Sequence, residues 1–238
     1  MKVAIIPARG GSKRIPGKNL KLFAGNPIIS YSIDAAFKTK LFDRIIVSTD
    51  SQEIAAVANQ YGAETPFIRP PEISDDHTML PPVLIHALCW LENNDSPIDY
   101  ICCILPTAPL INPEFMIDGF AKLISEKTSS VISVTTFPFP ISRAFKMNAH
   151  GRLEMYWPKH EFTRSNDLAE AYHDAGQFYW LDTKTFYQTE RIFNDDAIPV
   201  VIPRYLVQDI DTEEDWLTAE RMYLCFVNRK DISNKDLS

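Results

Sequence analysis

The sequence predicts an α/β fold in which a mostly parallel sheet lies between helices, and three observations carry that prediction. Short, nearly unbroken apolar runs rich in β-branched residues recur along the chain, as strands covered on both faces require. Segments with helical apolar spacing separate those runs. A glycine-rich loop follows the first run, at the place where α/β folds bind nucleotides.

Residues 2–8 (KVAIIPA) form the first expected strand. Residues 9–18 (RGGSKRIPGK) hold three glycines and a proline, which excludes a regular element. Ile28, Ile29, Ile33, Ala36 and Phe37 recur at helical spacing, so 27–37 is expected to be a helix. Residues 44–48 (RIIVS) form the second strand, and Ser51 is placed to cap a helix over 52–61 that Gly62 ends. A helix over 80–91 precedes a third strand at 100–105 (YICCIL). Pro113 opens a helix running through Ile124, and 130–136 (SVISVTT) is the fourth strand.

From 137 to about 173 the rhythm breaks. Pro138, Pro140 and Pro158 interrupt a stretch crowded with aromatics, so an inserted arm of short strands and loop is expected. Phe137, Phe139, Phe145, Tyr156, Trp157 and Phe162 lack the periodicity to cover one another, which marks an interface. The sheet resumes at 176–181 (GQFYWL), 215–226 is the last helix, and the polar 229–238 is expected to fray. The chain, 1–238, is expected to be a single domain carrying the arm over 137–173 as an insertion.

Composition narrows the function. The chain is 45% hydrophobic and 23% charged, which suits an ordinary soluble globular protein. The apolar run before Pro7 and Arg9 is shorter than a signal-peptide core or a membrane span, so no membrane partner and a cytoplasmic location are expected. Cys89, Cys102, Cys103 and Cys225 form no CxxC pair and sit among apolar residues, so buried reduced thiols are expected. The histidines show no HxxxH or HExxH spacing and receive no metal role. A net charge of −7 argues against general nucleic-acid binding. Residues 1–21 carry six cations and no acid, whereas 209–215 (DIDTEED) carries five acids. A basic start and a distant acidic cluster suit a polyanion site completed by a metal.

Two constellations carry chemistry. In the first loop, Gly10 and Gly11 let backbone N–H groups approach a phosphate, and Lys13, Arg14, Lys18 and Lys21 follow. Five residues separate Gly11 from Gly17 and Asn19 follows Lys18, so this is no Walker A loop. It contains no GxGxxG either; a flexible basic surface loop is the alternative. In an extended DID, Asp209 and Asp211 point the same way and can converge on one ion. Mg²⁺ takes one or two carboxylates and completes its shell on substrate phosphates. Thr212 followed by Glu213, Glu214 and Asp215 also reads as the acid-rich first turn of a helix, and both readings can hold together.

The stretch ARGGSKRIPGKN, from Ala8 to Asn19, resembles the signature of the CMP-acylneuraminate synthetases and related nucleotidyltransferases. The resemblance continues through VSTD (Val47 to Asp50), RPPE (Arg69 to Glu72), PTAPL (Pro106 to Leu110) and DIDTEED, and so spans nearly the whole chain. It implies a compact α/β enzyme of the Rossmann-like nucleotide-diphospho-sugar transferase fold. Such an enzyme joins CTP to an acidic keto-sugar of nine carbons, releases pyrophosphate, and works as a homodimer whose arms reach across to the partner. Carried over by position, Arg9 and Lys13 contact the CTP phosphates with support from the backbone of Gly10, Gly11 and Ser12. Asn19, Arg69 and Thr78 hold the nucleotide, Asp209 and Asp211 bind Mg²⁺, and Arg9, Lys13 and Asp211 form the catalytic set.

Two departures bear on the sugar. DAGQFYW resembles the pseudaminic acid members, where sialic acid members tend toward NGAIY, and the resemblance implies that Gln177 contacts the sugar. Leu105 and Ala108 stand where sialic acid members tend to show Gln and Ser. Losing an amide beside the sugar points to a less hydroxylated substrate, and pseudaminic acid is the expected one. The sugar's carboxylate calls for an arginine, for which Arg143 and Arg164 in the arm are the candidates. The alternatives are an N-acetylneuraminic acid synthetase, a transferase for another nucleotide on the same fold, and a non-catalytic nucleotide-binding module.

Overall fold

A computed structural model of the chain describes residues 1–94 and 97–235. In chain order its elements are β1 (Lys2–Pro7), β2 (Leu22–Phe23), β3 (Asn26–Pro27), α1 (Ile29–Thr39), β4 (Arg44–Ser48) and α2 (Gln52–Gln60). Then come α3 (Leu80–Asn94), β5 (Tyr100–Ile104), α4 (Pro113–Glu126), β6 (Ser130–Thr136), β7 (Phe145–Met147) and β8 (Leu153–Met155). The chain closes with β9 (Tyr172–Asp182), α5 (Thr183–Thr189), β10 (Ile198–Val201) and α6 (Glu213–Lys235), among short 3₁₀ turns.

Six strands form one sheet in the order β10-β6-β9-β5-β1-β4. Neighbours run parallel except at β9, which lies antiparallel to both β5 and β6. The sheet is thus mostly parallel, as expected, with one reversed strand at its centre. Strand alternation divides the core into two layers. Ala4, Ile6, Val47, Ile104 and Trp180 face α1, α2 and α4, while Val3, Ile5, Ile46, Cys103 and Leu181 face α3 and α5. Gly119 lets α4 settle onto the first layer, since a Cβ there would stand 3.1 Å from the Trp180 ring and 3.2 Å from Phe178. The Trp180 indole N–H then reaches the Met116 carbonyl at 2.9 Å.

A third, smaller cluster gathers Ile15 from the first loop, Phe23, Ile28, Ile210 and Trp216, with Tyr31 and Tyr223 packed against it. The aromatic rings meet edge to face, with Phe23 5.6 Å from Trp216. This cluster docks α6 against the segment around β2 and β3, and it joins the first loop to the acidic stretch before α6.

The structure corrects several expectations. The first helix begins at Ile29 because Asn26–Pro27 pairs with Leu22–Phe23 in a small hairpin. Phe37 leaves the apolar face and is exposed, its ring lying over Gly62, where a Cβ would come within 3.3 Å. Gly62 has φ +89°, so it closes α2 in a conformation that other residues rarely adopt. Cys102 and Cys103 are buried on opposite faces of β5, and burial pushes both thiols up, which keeps them protonated. Cys89 and Cys225, however, are exposed, because each lies on the outer side of its helix. The helix expected at 215–226 runs on to Lys235, and residues 236–238 of the polar tail lie outside the described residues. The arm over 137–173 holds the short β7–β8 hairpin and three 3₁₀ turns, as its broken rhythm suggested. Among the described residues no helix is long and apolar enough to cross a membrane.

Candidate active site

β1, β4 and β5 are parallel, with Pro7 level with Ser48 and Ile5 with Cys103, so their following loops emerge together at one end of the sheet. Ala8 N–H still bonds the Ser48 carbonyl at 2.9 Å before the chain turns away. Beyond it the basic loop is held by specific contacts. Gly10 N–H donates to Asp50 Oδ1 at 2.8 Å, and the buried Asn19 donates its side-chain amide to the Arg9 carbonyl at 2.9 Å. Gly17 turns the chain at φ +63°. The resulting cleft, about 170 Å³, is lined by Arg9, Ser12, Lys13, Lys18 and Asn19 on one side and by Leu105 and Thr107 on the other.

Arg9 and Lys13 both pair with the Asp76 carboxylate. Hydrogen bonds from Lys13 and Arg9 hold that carboxyl below its usual pKa. Two cations from one loop thereby converge on a single anionic group, the geometry that a phosphate requires. Thr78, two residues further on, donates backbone N–H and hydroxyl to Asp75 Oδ1 at 2.7 and 2.6 Å, which fixes the turn carrying Asp76. Arg69 is only 3% exposed, and its Nε donates to Ser74 Oγ at 3.1 Å. Burial lowers its pKa, while the carboxylate of Asp50, 3.8 Å from Nη2, opposes that shift.

The acidic segment reaches two of the cations that line this cleft. Arg14 pairs with Asp211 at 2.8 Å, and Lys18 Nζ lies 3.8 Å from Asp211 while donating to the Ile210 carbonyl at 2.6 Å. Burial lowers the Lys18 pKa, and Asp211 and Asp209 pull it back up. Ile210 is fully buried between the two carboxylates, which turns Asp209 and Asp211 toward the basic loop. Asp209 keeps contact with solvent, yet its carboxyl lies against enough protein that burial, reinforced by Asp211, raises its pKa. Asp215 accepts from the N–H and hydroxyl of Thr212 at 2.8 Å, so 212–215 starts the helix while Asp211 lies beside Arg14 and Lys18 of the cleft wall. The helix-start reading of this segment therefore holds.

Among the described residues no group of three or more His, Cys, Asp or Glu could hold a metal alone. Two neighbouring carboxylates, one of them raised in pKa by burial and by the other's charge, nevertheless favour a cation between them. The donor set is hard oxygen, which fits Mg²⁺ sharing its shell with phosphates. A larger hollow, about 660 Å³, opens at the opposite end of the sheet beside Tyr100, Ser129 and Asp182. It mixes Lys127 and Arg191 with Asp195 and Asp196 and has no glycine loop, so its size alone does not make it the site.

Three expected sugar residues are not brought to the cleft within one chain. Arg143 donates to the Thr163 carbonyl at 2.7 Å, and Arg164 to Asp167 at 2.7 and 3.1 Å, so both are engaged inside the arm. Gln177 is buried and gives its Nε2 to the Leu206 carbonyl at 2.5 Å, while its Oε1 has no partner among the described residues. Sequence reasoning also left three residues unassigned: Asp50, Asp76 and Lys18. Lys18 carried a signal in its place after Gly17. Asp50 closed the VSTD motif, which gave it a place but no partner, and Asp76 carried no signal, because an acid in a loop reveals its partner only once the loops are brought together.

The cytidylyltransferase family matches this chain over residues 3–215. The pseudaminic acid cytidylyltransferase of Campylobacter jejuni is 41% identical over 221 residues, which cover 93% of this chain and 95% of that protein. The CMP-N,N'-diacetyllegionaminic acid synthase of Legionella pneumophila is 31% identical over 224 residues, covering 92% and 95%. Among solved structures, a CMP:2-keto-3-deoxy-manno-octonic acid synthetase complexed with CTP shares the fold at a TM-score of 0.68 and 16% identity, covering 93% of this chain and 97% of that one.

Proposed function

This chain belongs to the cytidylyltransferase family, and from that premise we propose that it joins CTP to pseudaminic acid, giving CMP-pseudaminic acid and pyrophosphate. The observation that carries the proposal is the meeting of a cationic glycine loop with a paired-carboxylate segment across 192 positions of sequence, through Arg14 and Lys18, which line the cleft. The sugar follows from the relative in Campylobacter jejuni, named for pseudaminic acid and similar over nearly its whole length.

In this reading the sugar's anomeric hydroxyl attacks the α-phosphate of CTP in line, and the bond from the α-phosphorus to the bridging oxygen breaks as pyrophosphate leaves. Charge accumulates on the leaving group, so catalysis is chiefly electrostatic. Arg9 and Lys13 hold and neutralise the phosphates, with Gly10, Gly11 and Ser12 offering backbone N–H groups. Asn19, Arg69 and Thr78 position the nucleotide. Asp209 and Asp211 would hold Mg²⁺, which when bound neutralises phosphate charge and lowers the pKa of the attacking hydroxyl. Lys18 keeps those carboxylates aimed at the cleft.

The reading includes a homodimer in the cytoplasm, the compartment that supplies nucleoside triphosphates. Phe139, Met147, Leu153 and Phe162 of the arm are 70% exposed or more. An apolar hollow of about 290 Å³ lies on the sheet beside Val134, Phe193 and Ile198. A second copy covering such surface, with its arm carrying Arg143 and Arg164 toward the sugar carboxylate, accounts for both. Sedimentation at micromolar protein is expected to show a dimer, and a monomer alone would remove this part of the reading.

The decisive experiment incubates the protein with CTP, Mg²⁺ and either pseudaminic or N-acetylneuraminic acid and identifies the product by mass. Failure with both sugars would overturn the proposal, whereas preference for N-acetylneuraminic acid would change the sugar alone. Leu105 offers a finer test. Its side chain lines the cleft, and its backbone is fixed by Ser32 Oγ donating to its carbonyl at 2.7 Å and by its N–H donating to the Gln177 carbonyl at 2.9 Å. An unmatched polar group there costs about 1–3 kcal/mol, roughly a ten- to hundredfold preference. Leu105→Gln is expected to narrow the preference for pseudaminic acid by raising kcat/KM for N-acetylneuraminic acid. An unchanged ratio would show that Leu105 does not read the sugar.

A further inference from the structure

We infer that Asp50 is a positioning residue for the nucleotide, holding the Gly10 amide and the Arg69 guanidinium in register with the phosphate cations. The inference rests on the CTP-binding reading and assigns Asp50 a task within it.

The geometry begins with β4, whose last residue, Ser48, lies level with Pro7. Thr49 is fully buried and anchors both sides of the turn. Its carbonyl accepts the Arg69 N–H at 2.8 Å, and its Oγ1 accepts the Ser51 N–H at 3.1 Å. Asp50 therefore projects from a fixed point between the glycine loop and the segment carrying Arg69. Its Oδ1 accepts the Gly10 N–H at 2.8 Å, and the same oxygen lies 3.8 Å from Arg69 Nη2. A Cβ on Gly10 would meet Ser51 Cβ at 3.2 Å and both Asp50 carboxylate oxygens at 3.8 Å, so the loop packs tightly on Ser51 and lies in contact with the Asp50 carboxylate.

The electrostatics explain why a carboxylate stands there. Arg69 is almost wholly buried, and Arg9 lies near enough to add to the lowering of its pKa. Among the described residues only Nε of Arg69 makes a hydrogen bond, and both Nη nitrogens remain without one. An enclosed guanidinium with its donors unspent, next to another cation, is costly for folding and suited to binding an anion. Asp50 offsets that charge at a distance too long for a hydrogen bond, which leaves the Nη donors for a ligand. Through Gly10 it also fixes the first residue after Arg9, and so the direction from which Arg9 enters the cleft. Preorganisation of this kind acts on ligand binding more than on the fold.

Two variants separate the tasks. Asp50→Asn retains an oxygen for the Gly10 N–H but removes the charge beside Arg69, whereas Asp50→Ala removes both. CTP affinity is measured by calorimetry with Mg²⁺ and no sugar, alongside thermal unfolding of each variant. Expected are a loss of CTP affinity of roughly tenfold for Asp50→Asn and more for Asp50→Ala. The KM for CTP should rise with them while the KM for the sugar stays near wild type. Should Asp50→Ala not fold, Asp50→Asn still decides the matter through the split between the two KM values. Wild-type CTP affinity in a folded variant, or equal increases in both KM values, would overturn the inference. A wild-type protein that bound no CTP would instead sink the reading on which it rests.

Discussion

Asp211→Ala is expected to lower kcat about 100- to 1,000-fold while leaving the protein folded, the usual loss when one preorganised charge at a reacting phosphate is removed. The fold should survive because Ile210, buried in the cluster with Ile15 and Trp216, anchors the segment, and Asp211 itself faces Arg14 and Lys18. Removing the carboxylate leaves Lys18 near Asp209 alone and, in the proposed mechanism, removes one of the two carboxylates that would hold Mg²⁺. Turnover at several Mg²⁺ concentrations, with circular dichroism as the folding control, measures this. Partial recovery at high Mg²⁺ is expected. A folded Asp211→Ala protein with near-normal kcat would take the residue out of the mechanism.

The second large effect is expected at the other pole of the cleft. Lys13→Ala should raise the KM for CTP and lower kcat together, because the lost charge faces phosphates in both the ground state and the transition state. A charged hydrogen bond contributes about 1.5–3 kcal/mol, so kcat/KM for CTP should fall roughly ten- to hundredfold. The Lys13 side chain is largely exposed and, among the described residues, pairs only with Asp76, so little loss of stability is expected. Steady-state kinetics with each substrate varied in turn decide it. A change confined to the sugar's KM would contradict the placement of Lys13 on the triphosphate.

Much of this organisation was legible in the sequence, for reasons that differ from element to element. β4 and β6 occupy the residues expected of them because each is a β-branched run with polar or turn residues on both sides. The basic loop and DIDTEED were legible because charge segregation survives without knowledge of contacts. β9 was seen only in part, since its first residues, Tyr172 to Ala175, lie beside an irregularity in the pairing with β6 and alternate poorly. Its direction could not be read at all, because a period of two is the same for either orientation. β10 (IPVV) escaped notice as a short edge strand containing Pro199, and α5 as a single brief helix after Asp182. Asp50 and Asp76 show the deeper limit. Each matters through a partner 40 or 67 positions away, and local pattern carries no record of such pairings.

The central position of β9 has a consequence for how the chain comes to be made. β5, β1 and β4 can pair as soon as the first 104 residues exist, but β6 meets none of them in the finished sheet. Only β9 hydrogen-bonds to both β5 and β6, and it follows the arm. A chain emerging from the ribosome therefore carries an open strand edge on β5 while the aromatic arm is being synthesised. Such long-range closure is slow, and an open edge invites pairing with another chain. Once Tyr172–Asp182 inserts, both halves are joined in one step and the exposed edges at the centre of the sheet disappear.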